Sequence, residues 1–477
     1  MASRFDWTSL RDLTTLPSPA RLQRGLKEFT ELARDRTLRL AVTGLRGSGK
    51  TVFITMAVQH LLRAQELPFL AAIQEGRLLG ARLLPAEPDG LPAFPFESAR
   101  AALAAVEPHW PPATERLSTL RLQLRYVATG VLRRRLGERR LLTVQIIDYP
   151  GEWLLDLPLL DQSYEAWSAA VLRSAESPPR AALAKDWRGF VAALDPKAPV
   201  APGQAGEAAR AAALYTDYLR RCQAAGLGLL QPGRFTMPGD LAGSELLQFC
   251  PLPPAEAARG SLARLMRERY ERYRDLVVLP FYRDHFSRFD RQIVLVDVLG
   301  VLNHGRACFA DGEAALTLVL NNFRYGPSGL LARLLRPRIE TLLFAVTKAD
   351  HVAHNQHPNL RLLLERMVDE AAGAARFEGV KPAFVALSAL RSTDVVRTEY
   401  QGQVLSCVRG VLKGDHRPTV LFPGEIPPEL PAEEDWRADR FRFRDFAPRR
   451  LSLTGADKPQ HIRLDQALEV LLGDRLR

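Results

Sequence analysis

The sequence predicts an α/β fold: a doubly wound, mostly parallel sheet carrying a large helical insertion. Three observations lead there. A glycine-rich turn, Gly44-Leu45-Arg46-Gly47-Ser48-Gly49-Lys50-Thr51, follows an apolar-alternating strand and opens a helix. The runs Gln292–Asp297 and Ile339–Val346 read as strands covered on both faces, the signature of a parallel sheet. Between them and the glycine turn, alanine, leucine and arginine dominate with helical periodicity and proline breaks.

The chain divides accordingly. Residues 1–37 are a helical lead-in, with Leu22, Leu26, Phe29, Leu32 and Ala33 at helical spacing. Residues 38–160 hold the first half of the sheet domain, 161–289 the helical insertion, 290–393 the second half, and 394–477 a C-terminal extension. Leu38–Thr43 is the first strand and Val52–Leu62 the helix after the turn. Residues 68–112 are proline-rich and irregular, with one alanine-rich helical piece near 98–106. Leu120–Val127 alternates strictly and pairs with Leu141–Ile147 as a hairpin through Gly137. Helix 312–336 and strand Ala383–Leu387 follow. The tail has strand-like pieces, a turn-rich Phe422–Pro428 and a closing amphipathic helix at Asp465–Leu472.

The turn fits G-x-x-x-x-G-K-[ST], the phosphate-binding loop, in the strand–loop–helix setting that motif requires. Gly44, Gly47 and Gly49 let backbone N–H groups, including those of Arg46, Ser48 and Val52, turn toward a polyphosphate without Cβ clashes. The helix adds its positive N-terminal end. Lys50 would reach the β- and γ-phosphates, and the Thr51 hydroxyl would bind Mg²⁺.

Three later segments each end a strand, where doubly wound sheets place their ligands. Asp148-Tyr149-Pro150-Gly151 is a D-x-x-G: the carboxylate can hold Mg²⁺ and the Gly151 N–H can meet a γ-phosphate. Thr347-Lys348-Ala349-Asp350 is a [NT]-K-x-D. Its carboxylate accepts from a ring N–H and an exocyclic amine on one edge, which guanine offers and adenine does not. Lys348 would pack along the loop and base. Ser388-Ala389-Leu390 is small enough to bring a backbone N–H near the base oxygen. A mobile threonine should complete the Mg²⁺ shell. Thr114, in a loop with two prolines, is better placed than Thr119, which suits a strand. Glu152 stands where a water-positioning glutamine often follows D-x-x-G. It either orients water itself or marks a slow hydrolyser. Arg46 and Arg116 are candidate transition-state cations, and each reads equally well as a surface arginine. The ordered motifs resemble the translation-factor and Ras-like class of P-loop GTPases.

Composition sets limits. The 477 residues are 47% hydrophobic, enough for two or three packed units. The net charge of +11 is dispersed, and its densest cluster, Arg133–Arg135 with Arg139 and Arg140, reads as a solvated hairpin tip. No nucleic acid partner is expected. Four cysteines lie far apart without C-x-x-C spacing, which suits a reducing cytosol rather than a disulfide framework. No uncharged apolar run reaches 18 residues, and Met1–Trp7 lacks the apolar core expected of a signal peptide. His351, His354 and His357 lack a nearby cysteine, Asp350 is assigned to the base, and Pro358 argues for a loop. They read as polar loop residues rather than metal ligands.

The runs Gly44–Thr55, Asp148–Trp153, Ala345–Val352, Phe422–Glu425 and Ile462–Asp474 resemble the YcjX-like family of bacterial stress-associated P-loop NTPases, nearly end to end. The resemblance implies a Ras-like core with a helical insertion that binds GTP and GDP. It also implies a cytoplasmic protein, peripheral at the inner membrane, with a protein partner in an envelope-stress response. The Arg46-Gly47 pair departs from the expected loop but leaves phosphate binding intact. Three functions fit: a slow GTP-hydrolysing switch, a nucleotide-dependent scaffold without significant hydrolysis, and an ATPase or phosphotransferase, against which Asp350 counts.

Overall fold

The computed structural model describes residues 35–64, 67–87, 90–129, 139–200, 206–325, 339–377, 382–454 and 460–477. The helix expected at Leu22–Ala33, the Arg133–Arg135 cluster with Gly137, and the end of the helix expected over 312–336 fall outside them.

Seven strands form the central sheet: β1 (Asp35–Gly44), β2 (Leu78–Leu84), β3 (Ser118–Val127), β4 (Arg139–Asp148), β5 (Arg291–Val296), β6 (Thr341–Val346) and β7 (Pro382–Ala386). Their order is β2-β3-β4-β1-β5-β6-β7. The five from β4 to β7 are parallel, while β3 and β2 add antiparallel pairs at one edge. The chain leaves β1 in one direction to β4 and returns on its other side to β5, so the strand order reverses at β1. That reversal opens the crevice at the carboxyl ends, where Gly44, Asp148, Asp297, Thr347 and Ser388 all arrive.

The period of two along each strand divides the core into two layers. Leu343 and Ala345 of β6 join Leu40 and Val42 of β1 under the helix Lys50–Arg63 and the closing helix Leu464–Leu472. Leu342, Phe344 and Val346 face the other layer, which contains the helices Arg306–Tyr325 and His357–Met367 and the core of the insertion among the described residues. The insertion's own packing is aromatic: Trp167, Trp187, Tyr215, Phe249 and Tyr270 are fully buried and in mutual ring contact. All of this is one continuous cluster with the sheet face. All four cysteines are buried and unpaired.

Several expectations needed correction. The stretch 68–112, irregular by its proline content, contains strand β2. β2 is a sheet edge with a bulge between Leu78 and Gly80, so its apolar residues do not alternate. The helix placed at 312–336 begins at Arg306. Pro358 does not mark a loop: it occupies the first turn of the helix His357–Met367, where its missing N–H costs no hydrogen bond. The C-terminal extension builds a second, three-stranded antiparallel sheet of β8 (Asp394–Tyr400), β9 (Gln403–Val411) and β10 (Pro418–Leu421).

Candidate functional site

The turn after β1 is shaped by its glycines. Gly49 caps the following helix at φ 85°, a left-handed conformation that a side chain would strain. Lys50 and Thr51 open the helix and are 7% and 8% exposed. Lys50 Nζ folds back to donate to the Gly44 carbonyl at 2.5 Å. An ammonium resting on a loop carbonyl is ready to exchange that partner for a phosphate oxygen.

The D-x-x-G segment meets the loop at close range. A Cβ on Gly151 would lie 2.6 Å from the Gly44 carbonyl carbon, so only glycine lets the two backbones approach. Asp148, 1% exposed, accepts from the Thr114 hydroxyl through Oδ2 at 2.6 Å. The Thr114 and Thr51 hydroxyls are 3.2 Å apart. Thr119 is elsewhere: it lies in β3 and donates to the Ile146 carbonyl. Burial pushes the Asp148 carboxyl up to about 6, against the pull of the Thr114 hydrogen bond and Lys50. Its Oδ1 is buried without a partner. Two hydroxyls linked in a chain to a carboxylate that keeps one unsatisfied oxygen match the hard oxygen ligands that Mg²⁺ prefers.

Asp350 lies after β6, 3% exposed, and its Oδ2 accepts from the Ser392 N–H at 2.7 Å. Lys348 stands at φ 58° and points its ammonium between two carboxylates, Asp297 at 2.6 Å and Asp445 at 2.9 Å. Burial pulls its pKa down, but Asp297 and Asp445 outweigh that and hold it above the ordinary lysine value. The Ser388 N–H is committed to the Ile462 carbonyl at 3.0 Å, and its hydroxyl donates to the Leu390 carbonyl. Any N–H that this turn offers a ligand must therefore come from Ala389 or Leu390.

A cavity of about 300 Å³ joins these parts. Gly47, Gly49, Lys50, Thr51 and Val52 line it together with Thr114, Lys348, Asp350 and Ser388–Leu390. Arg46 also lines it, with an exposed side chain, whereas Arg116 is exposed and outside its lining. Sequence reading missed Trp110, Lys413, Asp445 and Phe446, which also line it. The last three belong to the C-terminal extension and carry no local motif.

Glu152 is not brought to this cavity. Its carboxylate, 2% exposed, turns behind the loop, where Oε1 accepts from the Arg46 N–H at 3.0 Å and Oε2 has no partner. It lines a second, mostly apolar cavity of about 230 Å³ with Leu45, Leu154, Leu227 and Val301. Water positioning by this residue, expected from its place after Gly151, is not what this arrangement provides. Next to it, Trp153 donates to the Met237 carbonyl at 3.0 Å and carries the Arg234 guanidinium on its ring face. Asp156 accepts from the N–H of Gly233 and the hydroxyl of Tyr273, both at 2.6 Å. The segment following D-x-x-G is thereby bolted into the insertion.

The three histidines are used structurally. His351 packs edge-on against Phe446, and His354 against His357, whose Nδ1 meets Arg463 at 3.1 Å. Burial, reinforced by Arg463, pulls His357 down to about 4. Among the described residues no group of three His, Cys, Asp or Glu side chains is placed to hold a metal.

A family model described as "YcjX-like family, DUF463" matches residues 38–476. The chain belongs to the YcjX-like family. It is 41% identical over 470 residues to "Ras-like GTPase YcjX" of Escherichia coli (strain K12), covering 96% of this chain and all of that protein. It is 38% identical over 475 residues to the "Ras-like GTPase YcjX" of Shewanella oneidensis, covering 93% and 95%. The seven-stranded, mostly parallel sheet agrees with the fold of a P-loop GTPase. No described helix is long and apolar enough to cross a membrane.

Proposed function

We infer that this YcjX-like chain is a GTPase that binds GTP and GDP with Mg²⁺ and hydrolyses GTP slowly, as a conformational switch. The observation that carries this reading is the convergence on one cavity of the phosphate loop, Thr114 and the Asp350 carboxylate. Relatives named as Ras-like GTPases support it.

Lys50 and the loop N–H groups would neutralise and orient the phosphates. Thr51, Thr114 and Asp148 would hold Mg²⁺, which when bound supplies positive charge to the β- and γ-phosphate oxygens. Loss of that ion's anchor on Thr114 would release its loop. Loss of the γ-phosphate would free Gly151, whose segment is tied to the insertion through Trp153 and Asp156. Asp350 selects guanine because a carboxylate accepts from the two donors on that base's edge. With Glu152 facing away, the chain lacks a side chain of its own after Gly151 to aim water, and this supports a low intrinsic rate. The same feature favours the second reading, a scaffold in which bound nucleotide is hardly turned over. A protein partner in a stress-response pathway, in the cytoplasm or at the inner membrane, would then read the nucleotide state.

Competition binding tests the reading. Labelled GDP with Mg²⁺ should be displaced by GTP at micromolar levels and by ATP only at far higher ones. Equal displacement by ATP would sink the guanine assignment. Single-turnover phosphate release from GTP no faster than background, with liposomes as without, would favour the scaffold.

A further inference from the structure

Of the three residues of the C-terminal extension that line the cavity with Asp350, two, Asp445 and Phe446, hold other parts of its wall, and the reading above gives them no task. Asp445 holds the Lys348 ammonium at 2.9 Å opposite Asp297. Phe446, 1% exposed, accepts through its carbonyl from the Trp110 indole N–H at 3.0 Å, and its ring lies against His351. The pair is fixed by backbone: the Lys413 N–H donates to the Asp445 carbonyl at 3.0 Å, and the Ala447 N–H to Val411 at 2.8 Å. Among the described residues, Trp110 is the only aromatic side chain lining the cavity that combines partial exposure with a fixed polar end. It precedes Thr114 by four positions in a proline-rich loop.

None of these contacts is needed to bind phosphate or Mg²⁺. What they do is immobilise a long cationic stem and an indole beside the carboxylate proposed to read the base. A flat π-system between such groups gains stacking energy that depends on the base alone. We propose that Asp445 and Phe446 are positioning residues for the nucleotide base, holding Lys348 and Trp110 as two walls of its subsite, so that the C-terminal extension completes the guanine site. This rests on the guanine reading of the cavity.

The test separates base from phosphate by comparing GDP with ribose 5-diphosphate, which keeps the sugar and diphosphate and lacks the base. Both are titrated calorimetrically with Mg²⁺ into the full chain and into Trp110→Ala, Trp110→Phe and Asp445→Asn. Trp110→Ala should weaken GDP about tenfold or more, the scale of one lost base stack. It should leave ribose 5-diphosphate within about twofold, an effect too small to count as a lost stack. Trp110→Phe keeps a ring and should recover most of the loss. Asp445→Asn, nearly isosteric, should weaken GDP by about two- to fivefold, the scale of a half-exposed ion pair, again without touching ribose 5-diphosphate. If the variants weaken both ligands alike, or neither, the extension braces the fold and does not read the base. Wild-type protein that binds ribose 5-diphosphate as tightly as GDP would instead overturn the guanine assignment itself.

Discussion

Replacing Asp350 with asparagine is the most informative single change. The carboxylate is oriented before any ligand arrives: Oδ2 accepts from the Ser392 N–H at 2.7 Å, and the Asp350 carbonyl accepts from the Thr393 hydroxyl. An asparagine in the same rotamer would place its carbonyl oxygen on Ser392 and turn its NH₂ toward the cavity. A donor would then face the N–H groups of guanine where an acceptor had been. Each charge-assisted hydrogen bond lost is worth about 1.5–3 kcal/mol, or roughly ten- to 150-fold in affinity. With both guanine donors affected, GDP should weaken by about 10² or more. Xanthine carries a carbonyl where guanine has its amine, so xanthosine diphosphate should gain and overtake GDP. Titration of the variant with both diphosphates in Mg²⁺ reads this directly. Equal loss for both, with no change of order, would mean that Asp350 does not touch the base.

Three further outcomes follow from the geometry. Glu152→Gln should change single-turnover GTP hydrolysis by less than about threefold, because the carboxylate faces the rear of the loop; a loss on the scale of a general catalyst, about 10² or more, would place it at the reacting centre. Gly151→Ala should abolish nucleotide binding or lower the melting temperature by several degrees, since its Cβ would lie 2.6 Å from the Gly44 carbonyl carbon; wild-type affinity and melting would refute that close approach. Asp156 is pushed by burial up to about 6 from 3.8, against its hydrogen bonds from Tyr273, Gly233 and Arg234. A carboxyl whose pKa is raised by the fold favours folding below its unfolded pKa and loses that contribution as pH rises through the folded one. The stability of wild type relative to Asp156→Asn should therefore fall by about 2 kcal/mol between pH 4 and pH 7, measured by denaturant unfolding. A difference that is flat with pH would show that Asp156 is ionised throughout.

How much of this was written in the sequence depends on distance along the chain. The phosphate loop and the buried strands are local patterns, and their residues arrive at one sheet edge because the topology brings every strand's carboxyl end there. Thr114 was separable from Thr119 only in part, since both precede a strand; the structure settles their positions by giving Thr119 a strand partner and Thr114 an acidic one. β2 was hidden because an exposed, bulged edge strand need not alternate. The orientation of Glu152 could not be read at all. It follows from an N–H of the loop more than a hundred residues earlier and from the packing of Trp153 against the insertion. Trp110, Asp445 and Phe446 had the same obstacle: no short motif announces a contact made across most of the chain.

The insertion and one face of the sheet share a single core. Tyr149 packs on Phe281 and Phe289, Trp153 on Phe281, and Leu155, Leu157 and Leu159 are buried in the same cluster. Stripping the insertion away would bare at least these five side chains at about 1.5–3 kcal/mol each, on the order of 10 kcal/mol, which is the whole margin of a typical domain. A trimmed, minimal sheet domain is therefore out of reach by deletion. The same bond limits how relatives can diverge. The inner side of the insertion is tied through Trp153 and Asp156 to the segment that follows Gly151, so a substitution on either side of that seam must keep the other packed.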